Sequence, residues 1–207
     1  MIAHASRPAR ALSSLVGRPL FWIFILAALV GWPVVRATRR ALPPPLPLLG
    51  QVEAFSLFDQ DGREYGSAEL LGRVWVGGAI ATRCAAVGPA SCRELGARMA
   101  RVQHRARNLG TAFRMVSFAV EPAHDTPAAL TSYASSVRHS PRTWSFVTGP
   151  PAALAPVLRG LRLEGHHGPV ALVDTRMQVR GRYLLSGDGE VDRLLNDLAA
   201  LAALGGR

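Results

Sequence analysis

Residues 74–80 (VWVGGAI) form an uncharged, apolar run of seven, and this run limits the possible folds more than any other part of the chain. A stretch so short and so uniformly apolar suits a strand buried on both faces, which needs packed elements above and below it. The period then changes. Leu95, Met99, Val102, Ala106 and Leu109 recur at spacings of four, three, four and three before Gly110, which is one face of a helix and its stop. Residues 113–120 (FRMVSFAV) read as a second buried strand. Asp125-Thr126-Pro127 supplies a cap and a first-turn proline for a helix through about residue 137. Residues 144–147 suit a short strand, 170–173 and 179–185 a hairpin, and 191–204 a closing amphipathic helix. Ahead of the first run, residues 54–58 suit a short strand followed by a turn at Asp61-Gly62. Strand-helix-strand order ending in a hairpin and a helix predicts an α/β fold, a central mixed β-sheet flanked by helices on both faces. The 207 residues suffice for one such domain with sequence left over for a tail or anchor.

The leftover sequence lies at the start. Residues 1–18 form a short basic tail, and residues 19–35 (PLFWIFILAALVGWPVV) are uncharged, with Phe21 and Trp22 near one end and Trp32 near the other. That is an apolar segment with an aromatic belt. Seventeen residues at about 1.5 Å each give about 25 Å, slightly short of a hydrocarbon core of about 30 Å, and flanking arginines can snorkel to cover the difference. The run leads into Arg36-Ala37-Thr38-Arg39-Arg40 without a small-residue cleavage site, so an uncleaved transmembrane anchor is expected rather than a removed signal peptide. Residues 36–50 are an Arg/Pro-rich linker whose LPPPLPLLG stretch predicts a stiff, polyproline-like spacer, standing the domain of residues 51–207 about 30 Å off the bilayer. Three arginines lie on each side of the anchor, so the positive-inside rule sets no orientation.

The formal charge of +10 is carried by arginine alone, since the chain has no lysine, which points to composition bias rather than a binding signal. Six arginines precede Glu53, the first acidic residue, leaving eighteen against fourteen acidic residues over the domain. A scattered surplus of four is no electrostatic footprint, and no nucleic-acid partner is expected.

Two cysteines, Cys84 and Cys92, are too few for a disulfide scaffold, and their closeness suggests redox or metal chemistry. Ser91-Cys92-Arg93-Glu94 matches a capping box, which predicts Cys92 at the first helical position, where free amides and the helix dipole favour a thiolate. Cys84 follows the strand at 74–80, so both sulfurs are expected at that strand's C-terminal edge, where open sheets form their sites. The C-x7-C spacing permits a disulfide without enforcing one. Of the six histidines, His4 lies in the tail, and His104, His124 and His139 lie in stretches expected to be solvated. His166 and His167 stand apart, because they precede the strand at 170–173 between Gly165 and Gly168, which let the backbone turn inward. Two thiolates and an imidazole suit Cu(I), and with a fourth ligand they also suit Zn(II).

Four stretches together resemble the Sco/SenC family from about Gln51 to the end. They are residues 55–62 (FSLFDQDG); Val74-Trp75-Val76 leading to Thr82-Arg83-Cys84, Cys92 and residues 98–103 (RMARVQ); residues 116–127 (VSFAVEPAHDTP); and His166 through Asp174 to residues 180–183 (RGRY). The resemblance implies a thioredoxin-like domain on a membrane anchor that binds copper, Cu(I) or Cu(II), through two cysteines of a C-x-x-x-C motif and a distal histidine, and that serves cytochrome c oxidase assembly. Residue by residue, Cys92 matches the second motif cysteine, seven residues before Met99. Thr82-Arg83-Cys84 matches the approach to the first, and His166 matches the copper histidine, with His167 the nearest substitute. The chain departs from the family pattern by four extra residues between the cysteines, and by Ala85 and Arg93 in place of the proline that usually follows each.

What the resemblance implies is a metallochaperone with Cys84, Cys92 and His166 as metal ligands. It would be held in the inner membrane by a single-pass anchor with its domain in the periplasm, and its partner would be the oxidase subunit that carries a copper site. A thiol-disulfide oxidoreductase using Cys84 and Cys92 as attacking and resolving thiols is the alternative. A non-metallated interaction module that keeps the fold is the third reading.

Overall fold

The computed structural model describes residues 19–38, 46–83, 89–163 and 168–205. The chain forms two units, residues 1–44 and 45–207. In the first, helix α1 (Pro19–Thr38) covers the expected apolar run and continues three residues past it, so residues 36–38 are helical rather than linker. Among the described residues no helix is long and apolar enough to cross a membrane.

The second unit is built on one eight-stranded sheet: β1 (Gly50–Gln51), β2 (Ser56–Asp59), β3 (Glu64–Gly66), β4 (Val74–Ile80), β5 (Phe113–Ala119), β6 (Trp144–Thr148), β7 (Pro169–Val173) and β8 (Gln178–Leu184). Their order across the sheet is β1-β8-β7-β4-β5-β6-β2-β3. Among the described residues of this unit four α-helices accompany the strands: α2 (Pro89–Arg105), α3 (Pro127–Ser136), α4 (Pro151–Gly160) and α5 (Asp188–Gly205). The predicted mixed sheet is present. β4 pairs in parallel with β5 and antiparallel with β7, β5 pairs in parallel with β6, and β7 and β8 form the expected hairpin.

Every residue of β4 is buried because both faces of the strand are covered. On one face Val74, Val76 and Ile80 pack with Met99 and Val102 of α2, Leu130 of α3 and Leu194 and Leu198 of α5. On the other, Trp75 and Ala79 join Val116 and Phe118 of β5 and Leu154 and Val157 of α4. The alternation of side chains along a strand sorts this one run into two cores.

α2 carries the predicted apolar face, with Met99 and Val102 buried, but ends at Arg105 rather than at Gly110. Beyond it Ala106 is buried too, and in the 3-10 turn that follows Gly110 adopts φ 54°, a conformation glycine reaches without a Cβ clash. The outer face of α2 is basic. Arg101 and Arg105 pair with Asp188 and Asp192 of α5, exposed pairs worth at most about 1 kcal/mol each. Under α5, the buried Tyr183 hydroxyl donates to Asp197 at 2.6 Å, and burial first, then that bond, holds its pKa well above the ordinary tyrosine value.

Three expectations change. The strand expected at 54–58 is β2 at Ser56–Asp59, paired with β3 across the Asp61-Gly62 turn. The domain begins before residue 51, since Leu49 donates to Val179 and Gly50 pairs with Val179 in β1, so part of the expected linker is a sheet edge. Helix α4 lies where no element was expected. Pro151 fits the first turn, where its missing N–H costs nothing, and burial of Leu154, Val157 and Leu161 offsets the bond that Pro156 removes.

Candidate functional site

β4 leaves the sheet beside β5, and the ladder continues one step when the Val120 amide donates to the Ile80 carbonyl at 2.9 Å. The next residues are tied by a buried carboxylate. Asp125 Oδ1 accepts the Thr82 amide at 2.8 Å and the Thr82 hydroxyl at 2.6 Å, while Oδ2 accepts the Glu121 amide at 3.1 Å. The amides of His124 and Asp125 both donate to the Glu121 carbonyl at 2.8 Å, closing a tight turn after β5. Thr126 then caps α3 as expected, its hydroxyl oxygen accepting the Ala129 amide at 3.3 Å ahead of Pro127.

β7 begins at the same edge. It runs antiparallel to β4 with Val170 opposite Gly78, so Gly168 and Pro169 lie beside the end of β4. Gly168 has φ 124°, a value that favours glycine, and a Cβ there would stand 3.5 Å from Leu184. α2 returns over the sheet from this edge, with the Met99 side chain lying over Gly78. Cys92 is seven residues nearer the start of that helix, about 10 Å further toward the edge.

The helix start differs from the capping-box expectation. α2 begins at Pro89, so Ser91 lies inside it and Cys92 is its fourth residue rather than its first. A proline at the first position has its φ already set and loses no bond, which makes Pro89 the better start. Cys84, His166 and His167 lie outside the described residues, as does the side chain of Cys92. Among the described residues no group of three His, Cys, Asp or Glu side chains is placed to hold a metal ion. His104 and His124 are exposed as expected, but His139 is half-buried, its ring 5.5 Å from that of Phe146. The tie between Thr82 and Asp125 was not foreseen. In the sequence Asp125 signals only a helix cap, and nothing in the spacing marks a partner 43 residues away.

The family model for SCO1/SenC matches residues 49–203. The chain belongs to the SCO1/SenC family. Over 103 residues it is 32% identical to the SCO1 protein homolog of Bacillus subtilis (strain 168), a match covering 50% of this chain and 51% of that protein, so the chain spans about half the length of the curated relative it matches. Among solved structures, BsSco is described as having a disulfide switch and as a member of the Sco family of cytochrome c oxidase assembly proteins. It aligns with a TM-score of 0.66 at 24% identity, over 77% of this chain and 99% of that one. Yeast Sco1 with copper bound aligns with a TM-score of 0.60 at 21% identity, over 74% of this chain and 94% of that one. These two likenesses show the fold, which the SCO1/SenC chain described here shares over its sheet and helices.

In this SCO1/SenC domain the turn into β7 sets where the chain carrying His166 joins the sheet. Gly168→Ala should destabilise the domain by about 1–3 kcal/mol, because φ 124° strains any residue with a Cβ. Urea unfolding measures it, and a loss within error of zero would contradict the turn geometry.

Proposed function

We propose that this chain is a membrane-anchored metallochaperone that carries Cu(I) as cargo to the copper centre of a respiratory cytochrome c oxidase. Cys84, Cys92 and His166 hold the ion. Three backbone placements support the reading: the residues after β4, the early turns of α2 and the turn into β7 share one sheet edge, and each adjoins or carries one of the three residues. Two thiolates and an imidazole are a soft donor set that suits Cu(I). The four added residues between the cysteines relative to C-x-x-x-C lengthen the loop without changing the donors.

The anchor is proposed on the sequence of residues 19–35, an uncharged apolar run with aromatic residues toward both ends and arginines on each side. The domain then lies on the periplasmic face of the inner membrane, where a thiol pair can cycle between oxidised and reduced forms. Protease added to intact spheroplasts should digest the domain; protection until lysis would reverse the orientation.

Copper carriage is tested by titrating the reduced full chain, in detergent, with Cu(I) against a colorimetric chelator. One equivalent bound tightly, and lost in His166→Ala, is the expected result. A chain that leaves all Cu(I) with the chelator while cycling a Cys84–Cys92 disulfide with a partner thiol would favour thiol-disulfide exchange instead.

A further inference from the structure

We infer that Asp125 is the positioning residue for the first cysteine, acting through Thr82. The inference rests on the copper reading for its consequence but not for its geometry. Asp125 is fully buried, and burying a carboxylate is costly unless its oxygens are hydrogen-bonded. Among the described residues its carboxylate accepts three bonds, from two chain segments. Two come from Thr82, after β4, and one from Glu121, after β5. Helix α3 is capped separately by Thr126, so the Asp125 carboxylate is not needed for that task.

What the carboxylate holds is the chain that leads to Cys84. Thr82 has both of its donors on one oxygen, which fixes its backbone and its side chain together. Cys84 follows Thr82 by two residues in the sequence. With seven residues between the cysteines, the longer connection constrains Cys84 less than a short motif would, and a fixed point before it matters more. Cys92 is carried by α2 and does not depend on this tie. Asp125 therefore acts on one cysteine and not on the other.

Asp125→Asn keeps the shape and leaves one oxygen to accept from Thr82, but turns the other position into a donor facing the Glu121 amide. Thr82→Val removes only the hydroxyl bond, and Thr82→Ser keeps it. The experiment measures alkylation rates of Cys84 and Cys92 separately by peptide mass spectrometry, on the reduced full chain in detergent, alongside Cu(I) affinity and melting temperature. In Asp125→Asn and Thr82→Val, Cys84 should react severalfold faster with Cys92 unchanged, and Cu(I) affinity should fall about 10–100-fold, as for residues that orient a metal ligand. Thr82→Ser should behave as wild type. If both cysteines change together in step with the melting temperature, or neither changes, the inference is overturned. A wild-type chain that binds no Cu(I) would refute the copper reading alone, since the split between the two cysteines still decides the role of Asp125. Should Asp125→Asn fail to fold, Thr82→Val carries the test.

Discussion

Cys92→Ser is expected to weaken Cu(I) binding by more than about 100-fold, or about 2.8 kcal/mol at 1.4 kcal/mol per factor of ten. The change replaces a soft, polarisable sulfur with a hard hydroxyl of similar size, and Cu(I) selects thiolate over alcohol oxygen. Residues that merely orient a metal ligand already account for about 10–100-fold, so losing a ligand should cost more. Folding should be nearly unaffected, because the two side chains are of similar size and, among the described residues, Met99 and Val102 carry the buried apolar contacts of α2. Competition titration with matched melting curves measures both. If Cys92→Ser holds Cu(I) as tightly as wild type, the proposed ligand set is wrong, whatever the behaviour of Cys84.

The second large effect concerns the sheet. Trp144 opens β6 and is 1% exposed, with its ring 4.8 Å from that of Phe146 and its indole N–H donating to the Ser117 hydroxyl at 2.9 Å. Trp144→Ala removes a large buried side chain, worth about 3–5 kcal/mol, and leaves a buried hydroxyl with one partner fewer. A loss of about 4–5 kcal/mol is expected, lowering the melting temperature by about 10–15 °C for a domain of this size. The two parts separate in Trp144→Phe, which keeps an aromatic ring but not the donor and should cost about 1–3 kcal/mol. Adding Ser117→Ala to that variant should recover part of the loss, because the unpaired hydroxyl goes. A Trp144→Ala loss below about 1 kcal/mol in urea unfolding would contradict this packing.

Local patterns made several elements legible in advance. The runs at 74–80 and 113–120 became β4 and β5, and the period through Met99 and Val102 became the buried face of α2, which ends at Arg105, ahead of Gly110 in the 3-10 turn that follows. Thr126 and Pro127 started α3 as their chemistry demanded, and the hairpin of β7 and β8 appeared where two apolar runs flanked a turn. Two local signals misled. Ser91 matched a capping box, yet Pro89 started the helix, because a proline that needs no amide partner competes well for that position. The prolines at 150, 151 and 156 disguised α4, whose stability comes from leucines and valines packed under the sheet rather than from helix propensity.

By itself the sequence determined which faces are apolar, where helices can stop, which residue types can hold a soft metal ion, and that the cysteines follow a central strand. Only the tertiary structure decided that β7 lies antiparallel beside β4, bringing the turn at Gly168 to the edge where Thr82 leaves the sheet, and that Asp125 closes on Thr82 across 43 residues. The reason is physical. A side-chain period reports that a face must be buried but not against what, whereas strand order and a buried carboxylate's partners are set by which apolar faces cover one another once the whole chain has collapsed.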